Sequence, residues 1–233
     1  MNKGRIALVL VVLAMLLPPG LAAAQCVEVA PGICVSKKRY AAPANEQPFF
    51  GFADKTSAMV AADLKFVAAA LQFNADKEEV AQRIAHTAWD AFDANDFATA
   101  GRRFNQAFLI DPQQSAAYHG FAALAERRFN DPAYAEELFL IAKKLRLPLQ
   151  TLNADYARLL LVRHRPKDAL PLLERAVQDL PGFAAAWSNL AFARFQTGDR
   201  PGACEAAAEA LRRTTQPGVR ADVERLRRQA GCG

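Results

Sequence analysis

Three residue types in this chain of 233 could do chemistry, and their spacing decides what kind. His86, His119 and His164 lie too far apart to form a ligand pair one helical turn apart, with each other or with a cysteine. Of the four cysteines, Cys204 and Cys232 are 28 residues apart, whereas a structural metal site wants two close pairs. The adjacent carboxylates Glu78-Glu79 and Glu136-Glu137 fall on faces expected to be exposed, where such pairs are ordinary surface charge. The chain has no glycine-rich phosphate loop, no nucleophile elbow and no HExxH. The expectation is therefore no catalytic residue, no cofactor and no metal, leaving an enzyme of unfamiliar type as a remote alternative.

What the cysteines do depends on where the chain resides, and the N-terminus speaks to that. Lys3 and Arg5 precede an apolar run over residues 6–17, which ends in Pro18-Pro19-Gly20 and then Ala22 and Ala24. This is the layout of a secretory signal peptide over residues 1–24, and the run is short of the roughly 20 residues that span a bilayer. A lipid anchor would need cysteine directly after a small residue, and Gln25 intervenes. A periplasmic or secreted location follows. In it an even number of cysteines reads as a disulfide framework with three possible pairings. The Pro31-Gly32 turn signal, flanked by alternating Val27, Val29 and Ile33, favours a pinned hairpin closed by Cys26 and Cys34, leaving Cys204 with Cys232. Removing Lys3 and Arg5 from 29 basic side chains leaves 27 against 24 acidic, too mild an excess to suggest nucleic acid.

Helices dominate the rest, because the chain is rich in alanine, leucine, arginine and glutamate. A period is present as well. Ala100, Ala135, Ala169 and Ala203 are spaced 35, 34 and 34 residues, and Ala107, Ala142, Ala176 and Ala210 repeat those intervals. A third row, Ala88, Ala122, Ala157 and Ala191, is spaced 34, 35 and 34, which places the surplus residue between Ala122 and Ala135, near Asn130-Asp131-Pro132. Small residues at fixed intervals are what antiparallel helices need to approach closely, and Phe104, Phe139 and Leu173 stand one turn beyond the first row as their large partners. Asn95-Asp96, Asn130-Asp131, Arg165-Pro166 and Gly198-Asp199 supply the turn inside each unit.

Four 34-residue helical hairpins with this small-residue pattern resemble tetratricopeptide repeats. The fourth unit matches best, through Trp187, Leu190, Ala191, Gly198, Ala203 and Ala210. The resemblance implies an all-α, right-handed solenoid of about four repeats over residues 81–214. Residues 25–50 would then form the hairpin and a linker, residues 51–80 a leading cap helix, and residues 215–233 a C-terminal cap helix. Phe66, Ala70 and Phe73 would share the packing face of the leading cap.

The resemblance also implies a protein or peptide partner held by the first helix of each unit. Carried onto this chain, the groove places are Trp89, Phe92 and Asp93, then Glu126 and Arg127, then Arg158 and Leu161, then Phe192, Phe195 and Gln196, with His119 one turn earlier. Ala85, Ala123 and Ala154 stand where the family's carboxylate clamp needs polar side chains, so that clamp is not expected. An aromatic groove with Arg127 and Arg158 would suit a segment carrying apolar side chains and some acid. The same aromatics would serve equally well as packing between helices. A second route to function runs through the basic C-terminal cap, with arginines at 212, 213, 220, 225, 227 and 228, which would make the chain a structural or envelope-assembly component.

Overall fold

The computed structural model describes residues 26–233, so the leader read from residues 1–24 lies outside the described residues. Strands β1 (Cys26–Ala30) and β2 (Ile33–Ser36) pair antiparallel, with Glu28 opposite Cys34. Cys26 is joined to Cys34 across the hairpin. Ten helices follow: α1 (Ser57–Leu71), α2 (Lys77–Asp93), α3 (Phe97–Ile110), α4 (Ser115–Arg127), α5 (Pro132–Ala142), α6 (Leu152–Val162), α7 (Pro166–Asp179), α8 (Ala184–Gln196), α9 (Arg200–Arg213) and α10 (Pro217–Ala230). They form a right-handed solenoid of four hairpin units, α2 with α3, α4 with α5, α6 with α7 and α8 with α9, with α1 and α10 capping its ends. Among the described residues no helix is long and apolar enough to cross a membrane.

Local chemistry starts and stops these helices. The Asp76, Asp96, Asp131 and Asp199 carboxylates accept backbone N–H groups from the first turns of α2, α3, α5 and α9, each cap being worth about 1 kcal/mol. Inside each unit the chain reverses through one left-handed residue: Asn95, Asn130, His164 and Gly198, with φ of 60°, 51°, 57° and 90°. Asparagine and glycine are the residues that tolerate this conformation best, so His164 is used here as a turn residue. The N–H groups of Asp96, Arg165 and Asp199 each reach back five residues, to the carbonyls of Ala91, Leu160 and Arg194, but that of Asp131 reaches back six, to Ala125 at 2.8 Å. The surplus residue in the 34-residue period is absorbed there.

All twelve alanines of the three rows are at most 1 % exposed. Phe104, Phe139 and Leu173 are fully buried beside them. A close approach of two helices is at Gly120 on α4, where a Cβ would stand 2.2 Å from the ring of Phe104. The consequence is visible along α4, which is buried continuously from Ser115 to Ala125 and forms the centre of the stack.

The stretch read from sequence as a linker, residues 37–50, is instead packed against the outer face. Its backbone carbonyls at Asn45 and Gln47 accept from the buried Asn105 side chain of α3, which in turn accepts from the Phe50 N–H at 3.1 Å. Glu46 pairs with Arg102 of α3 and with Arg128 just beyond α4. Tyr40 stacks on Phe129, ring centroids 4.1 Å apart, and donates to Asp131, while the Ser36 N–H donates to Glu137 of α5. Phe129 precedes the residue where the period is irregular, so the extra length of that turn presents the ring on which the strap stacks. The strap ends in a left-handed turn, Phe49, Phe50, Gly51 and Phe52 all at φ of 51–59°, which costs roughly 1–2 kcal/mol for each non-glycine residue. Burial of Phe49 among Phe108, Tyr118 and Phe121 offsets that cost. A period-based reading could not see the strap because its contacts are polar and single, never repeated.

The ends differ. At the C-terminus α10 buries Val223 and Leu226 against α8 and α9, and Cys204 on α9 is joined to Cys232, Cα atoms 5.5 Å apart. Ala207, the small residue at the place of Phe104 and Phe139, is fully buried there. At the N-terminus α1 rests Phe66, Val67, Ala70 and Leu71 on Val80, Ala81 and Ile110. Phe73 does not share that face: α1 stops at Leu71, and Phe73 is 91 % exposed in the turn beyond.

Two outcomes follow. Gly101→Ala on α3 would place a methyl 2.3 Å from the Glu46 carbonyl, so the strap should lift while the repeats stay folded, read as faster hydrogen exchange confined to residues 37–52. Replacing Cys204 and Cys232 by serine opens a 28-residue loop and should lower the unfolding free energy by roughly 3 to 4 kcal/mol in a denaturant titration.

Candidate functional site

The first helices of the units line the inner face of the solenoid, and residues one turn apart on them share one surface. From α2 come Trp89, Phe92 and Asp93; from α4, Ala123 and Arg127; from α6, Asp155 and Arg158. With Leu149, Thr151, Phe183 and Gln216 from the turns, and Phe139 at the base, they enclose a groove of about 520 Å³. A second hollow of about 450 Å³ lies on the other side of Trp89, lined by Gln82, Ala85, His86 and Leu180, and shares Leu149 and Thr151 with the first. Trp89 is therefore a ridge between two depressions of one furrow.

The floor is rigid because it belongs to the core. Trp89 meets Phe92, Phe104 and His119 edge to face, at centroid distances of 5.2, 5.3 and 4.7 Å. His119 is fully buried between Trp89 and Phe139, and its Nε2 lies 2.9 Å from Asp155 Oδ2, which fixes that carboxylate. Behind the wall, Glu126 accepts both Nη groups of Arg158 in a two-point pair, and its side chain is only 8 % exposed. Arg127 stands over the rings of Phe92 and Phe97, at 5.8 and 5.9 Å, and has no ion-pair partner among the described residues. Burial holds the Asp93 carboxyl above its ordinary range, the charges of Asp155 and Asp90 add to that, and Arg127 opposes it.

Of the residues expected at the groove, Trp89, Phe92, Asp93, Arg127 and Arg158 are brought together on its surface. His119 and Glu126 stand behind it and hold Asp155 and Arg158. Leu161, Phe192 and Phe195 are half-buried and pack on the hydrophobic core, and Gln196 is exposed at the end of α8, outside the lining. The aromatic positions thus divide: those of the first unit face the furrow and those of the fourth serve packing. Sequence reading missed Asp155, one turn before Arg158 on the same helix, and the turn residues Leu149, Thr151, Phe183 and Gln216. Asp155 had a signal in its helical spacing; the turns had none. Among the described residues no group of three or more histidine, cysteine or carboxylate side chains could hold a metal ion.

A tetratricopeptide repeat family model matches residues 160–229. A comparison with curated proteins yields no match. Solved structures show the fold more widely. The chain is similar to PilF of Pseudomonas aeruginosa, at 20% identity and a TM-score of 0.56, over 66% of this chain and 70% of that one. It is similar to PilW, a type IV pilus biogenesis factor, at 19% and 0.52, over 71% and 76%. YrrB, a tetratricopeptide-repeat protein with an unusual peptide-binding site, aligns at 17% and 0.51, over 71% and 84%.

Raised in the fold, the Asp93 pKa favours folding only where the group is protonated, so that contribution is present below the ordinary value of 3.8 and is lost as pH rises through the folded value. Asp93→Asn should accordingly leave the melting temperature at neutral pH unchanged or slightly higher, with the difference fading below about pH 4 in thermal unfolding. Glu126→Gln, by contrast, frees Arg158 and should cost about 1–3 kcal/mol by the same measurement.

Proposed function

We propose that this tetratricopeptide-repeat protein is an exported interaction scaffold, periplasmic in a bacterial envelope, that holds a peptide segment of another protein in the furrow on either side of Trp89. The observation that carries the reading is the furrow itself: aromatic, about 520 Å³ on one side of the ridge, and backed by side chains whose pairing leaves its floor preformed. Preformed walls lower the ordering cost of binding an extended chain. Export is supported by the signal-like leader and by two disulfides, which persist in oxidising compartments. YrrB offers a precedent for a peptide site on this fold, and PilW one for a place in pilus biogenesis. Aromatic rings beside paired charges suit a binding surface.

The route through the basic C-terminal cap is weaker, because its arginines are largely occupied. Arg212 and Arg213 pair with Glu209, Arg225 with Asp222, and Arg220 and Arg227 donate to backbone carbonyls. A photo-crosslinking residue placed at the exposed Arg127 in the furrow should trap a discrete partner in the envelope fraction, and one placed at Arg228 should not. Crosslinks from Arg228 alone would favour the cap. The mature chain recovered in that experiment should begin at Gln25; an intact leader would count against export.

A further inference from the structure

The signs of the groove charges specify the ligand further than its shape does. Two cations and two anions face the furrow: Arg127 and Arg158, Asp93 and Asp155. They are not equally available. Arg158 is held at two points by the nearly buried Glu126, so together they bring no net charge. Arg127 lies over the faces of Phe92 and Phe97. Asp93 has no ion-pair or hydrogen-bond partner among the described residues, and Asp155 uses one oxygen on His119, with its side chain 28 % exposed. Asp93 and Asp155 line the same groove, although they come from different units. Trp89 and Phe92 lie on the same surface as these two carboxylates. An ammonium or guanidinium there would meet carboxylates from two units and aromatic rings from α2. A carboxylate in the same place would meet Arg127 only, and would add a third negative charge.

Resting on the reading of the furrow as a peptide site, we propose that its ligand is an extended segment with a lysine or arginine beside apolar residues. The cation sits between Asp93 and Asp155, and the apolar neighbours fill the hollows on either side of Trp89. This reverses the sign expected from sequence, where Arg127 and Arg158 suggested an acidic partner; Glu126, behind the wall, cancels one of them.

The test uses the full mature chain and three heptapeptides with blocked termini, identical apolar flanks, and arginine, glutamine or glutamate at the centre, titrated by calorimetry. The arginine peptide should bind about 10-fold or more tighter than the glutamine peptide, and the glutamate peptide more weakly still. Asp93→Asn, at an exposed position that does not support the core, should remove most of the arginine peptide's advantage over the glutamine peptide. Arg127→Gln should strengthen binding of the arginine peptide. Equal affinities, or preference for glutamate, would overturn the charge assignment while the peptide groove stood. Failure of all three peptides to bind, or binding unaffected by Trp89→Ala, would overturn the groove reading and this proposal with it.

Discussion

Everything in this molecule depends on how closely two helices can approach. Alanine at three fixed places in each unit, and glycine at position 120, let neighbouring backbones come together while a phenylalanine or leucine one turn away fills the space beside them. A larger residue at any of these places would separate the helices and change the angle at which the next unit is added, and the error would propagate along the stack. The same spacing decides where side chains on the first helices meet, so the furrow is a by-product of the packing rows. Its floor, Trp89 on Phe104 and His119 on Phe139, is the top of the core.

What could be read in the sequence follows from which constraints repeat. The alanine rows and the turns at 95, 130, 164 and 198 recur at 34 or 35 residues, and an aspartate cap follows three of the four turns, so counting found the units and even the place of the surplus residue. The strap over residues 37–50 reads as a linker in the sequence because its attachments to Asn105, Arg128 and Asp131 each occur once and join residues far apart in the chain. Asn105 gave no warning: an asparagine within a helix usually faces water, and here it is buried under the strap.

The groove was half legible for a related reason. Helical spacing placed Trp89, Phe92, Asp93, Arg127 and Arg158, but it could not tell a facing aromatic from a packing one. Phe192 and Phe195 occupy places equivalent to those of the first unit but pack, half-buried, on the core outside the groove lining. Charge was harder still, since Arg158 counts as a cation in the sequence and is neutralised in the fold by Glu126, on a different helix. Residues contributed by turns, Thr151, Phe183 and Gln216, depend on how the stack curls and have no periodic signature.

The strap also has a mechanical meaning. It runs along the outer face and is tied to unit one at Asn105 and to unit two at Asp131, so it spans the two as a tendon on the back of a spring. Closing the inner face requires the outer face to lengthen, and a tendon resists that. At the far end the Cys204–Cys232 bond clamps the last coil to its cap. Unit three, between these two ties, is joined to unit two through single side chains: Asp155 to His119, Arg158 to Glu126, and Arg163 and Arg165 to Glu136. The stack is thus braced along its length by single ties laid over its repeating rows, as a spring is braced by stays.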